Sequence, residues 1–237
     1  MKIVCFGDSL TRGVSMVKSR LRIIKENYPY FLQQLFTLGD ENEANVTVIN
    51  KGIFNDNSDS LLSRLNKDVI EESPDYAIVA IGGNDCNFKW DEVAENPDKE
   101  HQPIVPIERY LDNIKTMISL IKKSNITPIV ITLPPLDPVR YYQSIAKTYG
   151  NSVSHWISTL GGIEHWHGLY NRSLNKIVDE LEVIKIDVRT AIKQAGDLFD
   201  LISEDGIHLT SEGYKALSTE VYKYLSNFTD MKKPQQI

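Results

Sequence analysis

The chain has 237 residues, 41% hydrophobic and 24% charged, which suits a soluble globular protein with one full core. Its net charge of −6 lacks the basic footprint that phosphate backbones need, which argues against nucleic acid as the main partner and against adsorption to anionic membranes. No run approaches membrane-spanning length, and the N-terminus enters a strand at once, without the basic region and apolar core of a signal segment. Cys5 and Cys86, the two cysteines, each sit beside an expected strand and read as buried free thiols, consistent with a reducing cytoplasm.

Lys2-Ile3-Val4-Cys5-Phe6 is too short and too rich in β-formers for an amphipathic helix, so it reads as a buried strand. Gly7-Asp8-Ser9-Leu10 follows without a linker; the glycine permits a sharp turn, and Asp8 or Ser9 can cap a helix. Residues 21–38 read as helix, interrupted near Pro29, and residues 39–42 as a polar turn. Residues 46–49 form a second strand, followed by Asn50-Lys51-Gly52. Asn57 or Ser58 then caps a helix carrying Leu61, Leu62, Leu65 and Val69. Residues 76–81 are uniformly apolar, as a central parallel strand should be, and run into Gly82-Gly83-Asn84-Asp85.

Residues 90–106 read as polar and irregular, and 107–123 as a helix. Residues 126–133 give the fourth strand, stopped by Pro134-Pro135. A helix over 169–181, a fifth strand over 183–188, a helix over 211–225 and a polar tail complete the chain. Alternating strands and helices imply parallel pairing through right-handed crossovers, hence a three-layer α/β/α sandwich in a single domain over 1–237. Residues 137–168 break the alternation as an insertion dense in Tyr, Trp and His.

Ser9, Gly52 and Asn84 follow three successive strands, so a parallel sheet gathers them along one edge, where open α/β sheets bind ligands. Near the C-terminus, Asp205-Gly206-Ile207-His208 spaces a carboxylate and an imidazole so that both can point one way. A serine hydroxyl needs such a pair, because it is a poor nucleophile until a base takes its proton and an acid fixes that base's tautomer. Attack builds negative charge on a carbonyl oxygen, and the Ser9 and Gly52 N–H groups with the Asn84 amide can meet it. Taken alone, Gly-Asp-Ser reads first as an N-cap.

These four blocks, in this order and at strand or helix boundaries, resemble those of the GDSL, or SGNH, hydrolases. Gly7-Asp8-Ser9-Leu10 is similar to the first block, Gly52 to the second-block glycine, Gly82-Gly83-Asn84-Asp85 to the third, and Asp205-Gly206-Ile207-His208 to the Asp-x-x-His block. The resemblance spans about residues 1 to 220, apart from the insertion. It implies a flavodoxin-like five-stranded sheet, a Ser9–His208–Asp205 triad, and ester or thioester hydrolysis without metal or other cofactor.

The expected substrate is a small-molecule ester, first an acetylated carbohydrate: Tyr141, Tyr142, Trp156, Trp166, His167 and Tyr170 can wall the site with aromatic faces and polar edges suited to sugar rings. The same aromatics can instead pack the insertion onto the domain. Lysophospholipids and acyl thioesters are the alternatives within the resemblance, and oligomeric state is unreadable. A Gly-x-Ser-x-Gly hydrolase is disfavoured, because Thr11 stands where the second glycine belongs. A phosphate loop lacks its further glycines or lysine, and Asp8 repels an anion. His155, Glu164, His165 and His167 are conceivable metal ligands, but in an irregular, aromatic setting. A binding protein on the same fold would need no Asp–His pair.

Overall fold

The computed structural model describes residues 1–39 and 46–231, with side chains to residue 226. Most of the expected turn at 39–42 and the end of the polar tail lie outside these residues. The core is a five-stranded parallel sheet of β1 (Lys2–Gly7), β4 (Thr47–Gly52), β5 (Tyr76–Ala80), β6 (Thr127–Ile131) and β7 (Ile184–Ile186), in the order β4-β1-β5-β6-β7. The chain steps one way from β1 to β4 and then the other way to β5, so the order reverses at β1. The carboxyl ends of β1 and β5 flank the crevice this creates, the place where such sheets hold ligands.

Side chains alternate along each strand and build two cores. Val4, Phe6, Ala77, Val79 and Val130 face α3 (Ser58–Leu65), α5 (Ile107–Lys123) and α8 (Ile163–Glu180). Ile3, Cys5, Ile78, Ile129 and Ile131 face α2 (Tyr28–Leu38), α9 (Val188–Ala195) and α11 (Ser211–Met231). The three-layer sandwich expected from the alternation is the architecture found. Both cysteines are buried free thiols, and burial pushes Cys5 up to about 12. Among the described residues no helix is long and apolar enough to cross a membrane.

Three expectations are corrected. Residues 21–23 are not helical: β2 (Val14–Val17) and β3 (Arg20–Ile23) form an antiparallel hairpin after α1 (Ser9–Arg12), and α2 starts only at Tyr28, capped by Asn27. Residues 90–106 contain a short helix, α4 (Trp90–Glu95). The insertion is mostly helical, as α6 (Pro138–Tyr149), α7 (Val153–Thr159) and the start of α8. Its apolar side chains Ile145, Val153 and Trp156 pack on Phe88, Trp90 and Val93 as a third, smaller core. The rest of the chain includes a π-helical turn (Asn66–Ile70) after α3 and α10 (Leu198–Leu201) before the last loop.

Candidate active site

At the end of β1 the Asp8 carboxylate accepts the Leu10 N–H at 2.9 Å and caps α1. Ser9 opens that helix above the sheet edge. Its Oγ lies 2.9 Å from His208 Nε2, and His208 Nδ1 lies 2.6 Å from Asp205 Oδ2. All three residues are buried. The structure thus brings Ser9, His208 and Asp205 together across a sequence separation of 199 residues.

The loop between α10 and α11 shapes the acid–base pair locally. Asp205 Oδ1 accepts the Ile207 N–H at 3.1 Å, the His208 N–H at 3.0 Å and the Ser203 hydroxyl at 3.0 Å. Burial alone would raise the Asp205 carboxyl; the hydrogen bonds and charge of His208, with the Ile207 N–H, outweigh it and hold the group below the usual range. A carboxylate on Nδ1 keeps the ring proton there and leaves the Nε2 lone pair facing Ser9 Oγ, the tautomer of a general base.

Two remote elements brace this loop. Gly206 adopts φ +81°, and a Cβ there would stand 2.3 Å from the Tyr141 nitrogen, so only glycine lets α6 approach. From the other side, the Met16 N–H of the hairpin donates to Ser203 Oγ at 3.1 Å. Ser203 therefore links the hairpin to Asp205, a role its position in the sequence does not reveal.

After β5, one N–H of the Asn84 amide donates to the Asp56 carbonyl at 2.7 Å, which fixes the side chain and leaves its second N–H available. Asn84 lines the same cleft as Ser9 and His208. Gly52 is a correction: its N–H donates to Asn50 Oδ1 at 2.8 Å and so is already committed. Its glycine is required by packing, because a Cβ would lie 2.2 Å from the Arg12 nitrogen. Glycine after β4 makes room for the backbone of α1.

Arg64, also missed, donates to the carbonyls of Gly7 at 2.8 Å and Lys51 at 3.0 Å and to Asp56 Oδ2 at 2.6 Å. It ties the ends of β1 and β4 to the loop that braces Asn84. The available signal was its place one turn after Leu61, on the buried side of α3. Asp85 accepts the Ser58 N–H with both oxygens, at 3.0 and 3.2 Å, and so holds the start of α3. Burial raises Asp8 to about 7 and Asp85 to about 6.

Beside Ser9 and His208 opens a cleft of ≈ 1050 Å³, its mouth included, with largely apolar walls such as Ile81, Phe88, Leu133, Leu160 and Ile163. Of the aromatic set, Tyr141, Trp166 and His167 reach it, whereas Tyr142, Trp156 and Tyr170 do not line it. Three of the polar edges are spent on the protein itself: Tyr141 OH donates to Asn87 Oδ1 at 2.9 Å, Trp166 Nε1 to the Cys86 carbonyl at 2.7 Å, and Tyr170 OH to the Val105 carbonyl at 2.7 Å. The four conceivable metal ligands do not converge. His155 lies near Asp98, Glu164 pairs with Lys193 and His167 meets Arg189.

The sequence model of the GDSL-like Lipase/Acylhydrolase family matches residues 5–216, which include all four blocks. The chain belongs to this family. It is accordingly a serine-type carboxylic-ester hydrolase by family. It is 25% identical over 220 residues to the lipoprotein YqeF of Bacillus subtilis, covering 89% of this chain and 84% of that one. It is 26% identical over 138 residues to the isoamyl acetate-hydrolyzing esterase of Saccharomyces cerevisiae, covering 56% of this chain and 53% of the esterase. The lipase/acylhydrolase of Enterococcus faecalis superposes with a TM-score of 0.69 at 21% identity over 96% of both chains, which shows the GDSL fold.

Proposed function

We propose that this GDSL hydrolase cleaves small, mainly apolar carboxylic esters through an acyl-enzyme on Ser9. His208 takes the Ser9 proton as Oγ attacks the ester carbonyl, and Asp205 stabilises the imidazolium that forms. The Ser9 N–H, at the first turn of α1 where no helical acceptor exists, and the free N–H of Asn84 receive the oxyanion. His208 then protonates the departing alcohol, and in the second half it activates the water that releases the acid.

The observation that carries this reading is the hydrogen-bonded chain Ser9–His208–Asp205, at 2.9 and 2.6 Å, opening into the cleft. The apolar walls favour a hydrocarbon or aryl ester, and the yeast relative named for isoamyl acetate hydrolysis is of that kind. The acetylated carbohydrate has less support, because the polar edges of Tyr141, Trp166 and Tyr170 are engaged by the protein and Tyr170 is fully buried. A cytoplasmic setting rests on the two free thiols. The test is hydrolysis of p-nitrophenyl acetate by the wild type and by Ser9→Ala. Turnover in the first and background in the second is expected; equal turnover in folded Ser9→Ala overturns the assignment.

A further inference from the structure

His167 lines the cleft and takes no part in the proposed Ser9–His208–Asp205 chemistry. It sits on α8, 8% exposed, within otherwise largely apolar walls. Its Nδ1 lies 3.1 Å from Nη1 of Arg189. A guanidinium can only donate, so Nδ1 must accept, and the proton of the neutral ring is carried by Nε2. Nε2 has no hydrogen-bond partner among the described residues.

Arg189 cannot swing away easily. Its Nη1 also faces the carbonyls of Leu133 at 3.4 Å and Pro134 at 3.2 Å, and Nη2 lies 3.8 Å from Glu164 Oε1. The charged groups around the ring are Arg189 and Lys193 on α9, with Glu164 on α8 pairing to both. Burial first, then the two cations, push the imidazole down to about 3, so the ring stays neutral across the working range. With Nδ1 held by a cation, His167 is neither a second base nor a ready metal ligand. What remains is one fixed, uncharged N–H donor.

We infer that His167 is a specificity-determining donor of the cleft, which selects esters carrying a hydrogen-bond acceptor oxygen, such as a ketone or ether, on an otherwise apolar chain. A donor left unpaired in the cleft wall, apart from those assigned to the oxyanion, gains from an acceptor oxygen and loses when plain hydrocarbon leaves it unmatched. The inference rests on the reading of Ser9 as nucleophile.

Matched esters test it on both sides of the scissile bond: p-nitrophenyl hexanoate against its 4- and 5-oxo analogues, and hexyl acetate against 5-oxohexyl acetate. The wild type should favour the oxo ester in one of the two sets by roughly tenfold in kcat/KM. That preference should hold from pH 6 to pH 8, vanish in His167→Phe, and return in part in His167→Gln, which restores a donor. Equal turnover of plain and oxo esters by the wild type overturns the inference without recourse to any variant, and leaves the triad standing. A preference that survives in folded His167→Phe also overturns it. A wild type that hydrolyses none of the esters, p-nitrophenyl acetate included, removes the proposed function and this inference together.

Discussion

Replacing Asn84 by alanine separates two roles that its amide combines. One N–H braces the Asp56 carbonyl at 2.7 Å; the other is the expected oxyanion donor. Losing a donor that acts chiefly on the tetrahedral intermediate should lower kcat by roughly a hundred- to a thousandfold, about 3–4 kcal/mol, with KM little changed. Losing the brace should cost about 1 kcal/mol of stability, or about 2–4 °C in melting temperature for a domain of this size. Steady-state kinetics on p-nitrophenyl acetate and a thermal melt read the two effects separately. Asn84→Asp should be at least as damaging to kcat, because a carboxylate accepts rather than donates and repels the developing charge. A folded Asn84→Ala protein with near-normal kcat would refute the reasoning, and a lower melting temperature alone would leave Asn84 only its bracing role.

Gly52→Ala should destabilise the protein by about 1–3 kcal/mol and lower activity through displacement of α1, since the new methyl meets the Arg12 backbone; an unchanged melt would show that α1 yields freely. Asp8→Asn should become relatively more stabilising as pH rises. The Asp8 carboxyl is raised from 3.8 to about 7, so the native state holds its proton more tightly than the unfolded chain, and wild-type stability falls across that interval. Asparagine retains a cap for Leu10 without the buried charge, so the melting-temperature difference should shift in its favour between pH 4 and pH 8. A difference constant with pH would contradict this.

The sheet, and the meeting of Ser9, His208 and Asp205 at its edge, are legible because strands with uniform apolar runs end in polar blocks. The parallel topology then brings Ser9 and Asn84 to one edge, and the Asp205–His208 spacing forms its own turn. The hairpin was hidden because residues 21–24 alternate weakly and continue into a real helix, so helical spacing absorbed them. Helix α6 did carry a signal: Asp137 followed by Pro138 is a cap and first-turn pair, and Asp137 Oδ1 accepts the Val139 and Arg140 N–H groups, each at 3.0 Å.

Gly52 shows a different limit. A glycine at a strand end serves equally as a backbone donor or as a place where another backbone crosses, and only the Asn50 bond and the nearness of α1 distinguish them. The internal bonds of the aromatic residues are hidden from the sequence for a similar reason. The acceptors of Tyr141, Trp166 and Tyr170 lie 54, 80 and 65 residues away in sequence, beyond any local pattern.

The most direct test of the central claim is the site of covalent labelling by a fluorophosphonate, read by peptide mass spectrometry. A serine activated through the 2.9 Å contact with His208 should carry the label on Ser9, with labelling sharply slowed in His208→Ala and activity lost in step with modification. Native protein that hydrolyses esters while Ser9 stays unlabelled, or that loses activity through another modified serine, would contradict the account.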